Sequence, residues 1–273
     1  MNFLGMMPLN ASTAPAPTAR VATPIADQAF EDKAHLFSEL SICAYFNLED
    51  AKKWAQVIGF TQIVQVSFRD DLTVTIFSTP SDIVLAFRGV QNLSNLEYVL
   101  KCDREADGVL TGKAHKGFLV SFNRVWPLIA PILDSTKKVW ATGHSLGGAM
   151  AAIAAVRAAR REGPNLDGVF TFGQPRIGNG AYVSALGTDS YRWVNCHDPV
   201  PSLPTKWMGY AHFGKEFFIK HDGNVIERNP IFRLLTFLGS IINYAPHALD
   251  DHDVLQYRSA ILRANIESAN GQR

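Results

Sequence analysis

Lys138-Val139-Trp140-Ala141-Thr142-Gly143-His144-Ser145-Leu146-Gly147-Gly148-Ala149-Met150-Ala151-Ala152-Ile153-Ala154-Ala155-Val156 decides how this chain folds. Its first five residues are a short apolar run, as expected of a buried strand. From Ala149 to Arg160 strong helix formers dominate without a proline, so a helix follows. Between the two stands Gly143-His144-Ser145-Leu146-Gly147, a G-x-S-x-G at a strand-to-helix turn, the pattern of a nucleophile elbow. A turn that tight forces unusual backbone angles and brings strand and helix together where a Cβ would obstruct them. It leaves the Ser145 hydroxyl exposed at the carboxyl edge of a sheet.

Working outward, Thr61–Phe68 and Leu72–Phe77 alternate like half-buried strands around Arg69-Asp70-Asp71. Ile83-Val84-Leu85-Ala86-Phe87 is a continuous apolar run, which suits a strand covered on both faces. Helical spacing predicts helices over Ala29–Ala55, over Phe118–Leu133 (interrupted by Pro127 and Pro131) and over Arg258–Glu267. Strands are expected at Val169–Phe172 and Tyr191–Asn195, a helix near Ala181–Leu186, and a hairpin around His221-Asp222-Gly223. Strand and helix thus alternate, which implies an α/β fold with a mainly parallel central sheet covered by helices on both faces. No internal repeat or linker appears, so a single domain over residues 27–268 is expected.

The 273 residues, 47% hydrophobic and 19% charged, are enough for one large core. A net charge of +1 without long runs of either sign gives no signal for nucleic acid or an anionic membrane. Cys43, Cys102 and Cys196 are far apart and show neither a disulfide framework nor zinc spacing. Residues 1–26, rich in Ala, Pro and Thr, read as a flexible tail. They lack a clear signal peptide, which leans toward the cytoplasm while leaving secretion open. The apolar run Ile231–Tyr244 is shorter than a membrane span and carries Arg233; it is read either as a buried helix or as acyl-binding surface and cap near the site.

A serine hydroxyl needs a base, and that base needs a carboxylate to fix its tautomer. The order expected after an elbow is Ser, then Asp or Glu, then His. Asp198 follows a strand and sits in Asp198-Pro199-Val200-Pro201-Ser202-Leu203-Pro204, a turn stiffened by prolines; Asp189 is the weaker rival. His252, in Asp250-Asp251-His252-Asp253, is the expected base, with His247 a second candidate. A metal reading of Asp250–Asp253 is weaker, because adjacent loop carboxylates are usually solvated and no HExxH spacing is present. His144 reads as a packing or positioning residue directed away from the base, and Arg88 as a brace for the loop after it.

These segments together resemble the class 3 (fungal-type) lipase family of the α/β-hydrolase superfamily. Ile83–Gly89 is similar to the family's apolar strand ending in Phe-Arg-Gly, and His115-Lys116-Gly117-Phe118 to its His-x-Gly-Phe. Thr171–Asn179 resembles the segment after the elbow helix, and Asn195–Pro204 the acid loop. Asp251-His252 before Tyr257 resembles the family's Asp-His ahead of a tyrosine, with looser spacing. The resemblance implies an oxyanion hole built from the N–H groups of Leu146 and Val90. Val90 departs from the usual Ser or Thr, keeping the N–H but losing a hydroxyl.

The expected function is a carboxylic ester hydrolase acting on acylglycerols or similar esters through an acyl-enzyme, with Ser145, His252 and Asp198 as the triad. No cofactor and no metal are expected. A lipid or other ester is the expected partner, with transient lipid-interface contact; oligomeric state is left open. Phospholipase, thioesterase or acyltransferase chemistry with the same triad is the alternative. A silent lipid-binding protein on the same scaffold ranks below these.

Overall fold

The computed structural model describes residues 9–68, 72–89, 103–107, 111–159, 165–184, 187–227 and 250–271. In chain order these form helices α1 (Phe30–Cys43) and α2 (Leu48–Ile58), then strands β1 (Gln62–Phe68), β2 (Leu72–Ser78) and β3 (Asp82–Phe87). Short strands β4 (Arg104–Ala106) and β5 (Lys113–His115) precede helix α3 (Lys116–Ile129), strand β6 (Lys138–His144) and helix α4 (Leu146–Ala159). Strand β7 (Gly168–Phe172), helix α5 (Gly180–Val183), strands β8 (Ser190–Asn195), β9 (Lys215–Ile219) and β10 (Val225–Glu227), and helix α6 (Val254–Ala269) follow.

Among the described residues the main sheet runs β1-β2-β3-β6-β7-β8-β9-β10. Its centre, from β3 to β9, is parallel, while β1, β2 and β10 add antiparallel edges. The alternation of side chains divides the core in two. Ile83, Leu85 and Phe87 of β3, with Val139 and Ala141 of β6, pack under α3 and α4. Val84, Ala86 and Trp140 face the other way, into a layer made by α1, α2 and α6. Period-2 alternation in a strand buried on both faces produces this two-sided core, as the apolar run at 83–87 predicts.

Where sequence and structure differ, local chemistry gives the reason. The expected helix over 29–55 is two helices, because Asn47 caps α2 by accepting a hydrogen bond from the Asp50 N–H. Pro127 is carried inside α3, and a 3-10 turn at Ala130–Ile132 ends it. Helix α4 begins directly after Ser145, three residues earlier than expected. The apolar run at 231–244 lies outside the described residues, and so does His247. Among the described residues, no helix is long and apolar enough to cross a membrane.

The expectation of a flexible tail over 1–26 is corrected from residue 9 onward. There the chain is a strap held against the domain: Val21 N–H donates to the Ile58 carbonyl at 2.8 Å, and Ile25 is fully buried. Composition misleads here because the contacts that order the strap come from distant charged groups. Glu39 of α1, with no exposed surface, accepts from the N–H groups of Thr18 (2.9 Å) and Ala19 (3.1 Å) and from the Arg258 guanidinium of α6 (2.7 Å). Burial pushes the Glu39 carboxyl upward, but hydrogen bonds from His35, Thr18 and Arg258, with the charge of His35, outweigh it and bring it down to about 2.

A carboxyl lower in the folded than in the unfolded state stabilises above its unfolded value, and that stability is lost as pH falls toward its folded value. Between pH 4.5 and 2, urea unfolding of the wild type is therefore expected to lose about 3 kcal/mol more than Glu39→Gln. Equal slopes for the two proteins in that window would refute the assignment.

Candidate active site

Ser145 is the only described non-glycine residue with a left-handed backbone (φ 57). Its N–H donates to the Phe172 carbonyl of β7 at 2.9 Å. The flanking glycines are required by space. A Cβ on Gly143 would lie 2.3 Å from the Gly147 carbonyl carbon, and one on Gly147 would lie 2.1 Å from the Phe87 oxygen. Strand β3 therefore ends against the turn that presents the serine. Gly89 continues that approach, since its Cβ would meet the Tyr45 hydroxyl at 2.4 Å and the His144 carbonyl at 2.7 Å.

Three side chains that are far apart in sequence meet at this point. The Ser145 hydroxyl lies 2.8 Å from His252 Nε2, and His252 Nδ1 lies 2.7 Å from Asp198 Oδ2. A carboxylate can only accept, so Nδ1 carries the proton and the Nε2 lone pair faces the Ser145 O–H. All three residues are buried, so Ser145, expected to be exposed at the sheet edge, is instead covered. That line can take a proton from the hydroxyl and stabilise the resulting imidazolium.

Each member is held by its own supports. Asp198 accepts a second bond on Oδ2 from the Tyr257 hydroxyl (2.5 Å), and Oδ1 accepts the Val200 N–H (2.8 Å). Burial, followed by the charge of Asp198, keeps the Tyr257 phenol protonated far above its ordinary range. The acid loop is clamped by Arg176, whose guanidinium donates to the carbonyls of Ser202 and Pro204. Asn195 joins acid and base loops by donating its side-chain amide to the Asp251 carbonyl at 3.0 Å. His252 lies in a 3-10 turn, Asp250–His252, just before α6, which Asp253 caps.

His144 does not point away from this group. Its ring centroid is 4.6 Å from that of His252, and its Nε2 lies 2.6 Å from the His252 carbonyl oxygen. Because a carbonyl only accepts, Nε2 carries the proton and Nδ1 accepts from the Tyr45 hydroxyl at 2.9 Å. Burial, with repulsion from His252, holds His144 well below the ordinary histidine range. It is a neutral prop for the His252 backbone.

The remaining sequence-derived candidates separate clearly. Leu146 opens α4, where first-turn N–H groups have no intrahelical acceptor. Val90 lies outside the described residues; a Cβ on Gly89, next to it in the chain, would stand 3.4 Å from the Ser145 Cβ. Asp189 precedes β8, at the opposite end of that strand from Asp198, and its carbonyl accepts the Val169 N–H. The Arg88 N–H donates to the Thr73 carbonyl. Tyr257 as a support of Asp198, and Tyr45 as a support of His144, were not readable as such in the sequence. A tyrosine after Asp251-His252 was the one signal available.

Residues 84–208 match the family model Lipase (class 3). A lipase of Rhizomucor miehei is 35% identical over 189 residues, covering 63% of this chain and 49% of the relative. A secreted mono- and diacylglycerol lipase of Fusarium solani is 31% identical over 158 residues, 54% of this chain and 46% of the relative. The chain thus spans about half the length of the curated relatives it matches. Among solved structures, a triacylglycerol lipase described as having a serine-protease triad at its catalytic centre superposes with a TM-score of 0.63 at 28% identity. That match covers 73% of this chain and 84% of the other. The fold is that of the α/β-hydrolases, and the segment 84–208, from β3 through the elbow and the acid loop, is similar to the class 3 lipases.

Tyr257→Phe removes a donor from buried Asp198 and the acceptor of the Asn195 N–H. Chemical denaturation is expected to register a loss of about 1–3 kcal/mol. A variant as stable as the wild type would show that this hydroxyl does not support the carboxylate.

Proposed function

We propose that the chain is a carboxylic ester hydrolase of the lipase type, with residues 27–268 as its hydrolase domain. The continuous hydrogen-bonded line from Ser145 through His252 to Asp198 carries this reading. Ser145 Oγ attacks the ester carbonyl while His252 Nε2 takes its proton. The oxyanion rests on the N–H groups of Leu146 and Val90, each worth about 3 kcal/mol in the transition state. His252 then protonates the leaving alcohol, and the acyl group remains on Ser145. Water, deprotonated by the same imidazole, releases the acid. Asp198 holds the tautomer throughout, and the cycle needs neither metal nor organic cofactor.

Acylglycerols are the favoured substrates, because the Fusarium solani relative is named a mono- and diacylglycerol lipase and the superposed solved structure a triacylglycerol lipase. The secreted state named for the Fusarium relative favours an extracellular place of action over a cytoplasmic one. Such substrates gather at an oil–water boundary. Trp207, 90% exposed in the turn Lys206–Met208 beyond the acid loop, is the apolar side chain we assign to that contact, since indole suits such boundaries.

A fluorophosphonate probe is expected to label the chain once, at Ser145, and Ser145→Ala should abolish labelling and lower kcat at least about 10,000-fold. Retained labelling in Ser145→Ala would overturn the assignment. p-Nitrophenyl esters of graded chain length, assayed beside phospholipid and thioester substrates, distinguish the lipase reading from its neighbours. Trp207→Ala should slow hydrolysis of emulsified esters several-fold and leave soluble esters unaffected; an equal effect on both would remove its interfacial role.

A further inference from the structure

Beside the acid and base loops, a second group of reactive side chains comes together. Cys196 and His197 stand between the end of β8 and Asp198, and His221 sits in the turn between β9 and β10. One potential ligand atom from each, the Cys196 sulfur and a ring nitrogen of each histidine, lies within 4.8 Å of the other two. Cys196 carries a thiol. Cys196 and His197 are half-buried, and His221 is exposed, so the cluster opens to solvent.

The proton positions in this cluster follow from its neighbours. Asp251 Oδ2 accepts from the His197 backbone N–H at 3.0 Å and lies 3.1 Å from His197 Nδ1. A carboxylate so placed puts the ring proton on Nδ1. The Nε2 lone pair is thereby turned toward Cys196 Sγ, 3.6 Å away. A carboxylate fixing one histidine nitrogen so that the other can ligate is the usual outer-shell arrangement of a metal-bound imidazole. The separation fits as well. A thiolate about 2.3 Å and an imidazole nitrogen about 2.05 Å from one tetrahedral ion stand about 3.6 Å apart. A plain S–H···N contact would account for Cys196 and His197 but gives no reason for His221 to converge on them.

From this geometry we infer that Cys196, His197 and His221 form a binding site for a borderline-soft divalent cation, zinc above all. The donor set is one sulfur and two imidazole nitrogens, which selects against calcium and magnesium and for zinc and its neighbours. Binding forms one metal–sulfur and two metal–nitrogen bonds, and the Cys196 thiol proton leaves to solvent. The exposed face leaves a fourth position for water. His221 closes the remaining distance by rotating at the hairpin tip. Cys196 and His197 lead directly into Asp198, and Asp251 leads directly into His252. A bound ion would therefore fasten the hairpin to both loops that support the serine site, giving it a structural role and no part in ester cleavage.

The test uses the full chain after treatment with a chelator, with Co2+ as probe. Cobalt is expected to give a thiolate-to-metal charge-transfer band and the intense visible bands of a tetrahedral site, saturating at about one ion per chain. Zn2+ should displace it and raise the Tm. Cys196→Ser should lose the charge-transfer band, and His221→Ala, at an exposed tip where folding is not at stake, should weaken binding about tenfold or more. Absence of the band, its survival in Cys196→Ser, or unchanged affinity in His221→Ala would each overturn the site. These readouts need no turnover. Fluorophosphonate labelling of Ser145 in the same preparation therefore separates a failure of this site from a failure of the hydrolase reading.

Discussion

The backbone of Ser145 is the constraint around which the rest of the molecule is arranged. A serine held in the left-handed region costs roughly 1–3 kcal/mol, and it persists only because the surroundings leave no alternative. Its N–H is fixed to β7, Gly147 lies against the end of β3, and α4 begins at the very next residue. The parallel centre of the sheet is what makes this closure feasible, because β3, β6 and β7 all end at the same edge. Two buried layers hold that edge rigid, so the hydroxyl has one place to be.

Asp198 and His252 are constrained by a different device, hydrogen bonds that saturate a buried charge. Both oxygens of Asp198 are engaged, by Tyr257, His252 and the Val200 N–H, so the carboxylate has no reason to rotate. His252 is held at the ring by Asp198 and at the backbone by His144, whose neutrality follows from its burial. Gly173 adds a steric condition. It has φ +61, and a Cβ there would stand 2.9 Å from both Asp198 Oδ2 and His252 Cε1.

What could be read in the sequence was whatever depends on neighbours along the chain. The elbow, the doubly buried strand at 83–87 and the hairpin at 221–223 are local patterns, and the proline-rich turn marked Asp198. Chain order admits both His247 and His252, and only the resemblance of Asp251-His252 ahead of Tyr257 favours the latter, whose Nε2 lies 2.8 Å from the Ser145 hydroxyl. What stayed hidden depends on partners far away. The strap looked disordered because Glu39 and Arg258 are remote from it, and His144 could not be placed without Tyr45 and the His252 carbonyl. Cys196, His197 and His221 follow no ligand spacing, since a sheet edge and a hairpin tip bring them together. The break between α1 and α2 was legible in principle, for Asn47 ahead of Glu49 and Asp50 is an ordinary helix start.

Glu39 and Arg258, 219 positions apart, also set an order on biosynthesis. Chains emerge from the ribosome N-terminus first, so α1 appears early with a carboxylate whose cationic partner is among the late residues. The same late stretch carries His252. A growing polypeptide therefore holds Ser145 without the His252 imidazole, and Glu39 with His35 of its own helix but without the Arg258 guanidinium. Synthesis through α6 supplies both, so the contact that ties α6 to α1 and the imidazole beside Ser145 arrive together.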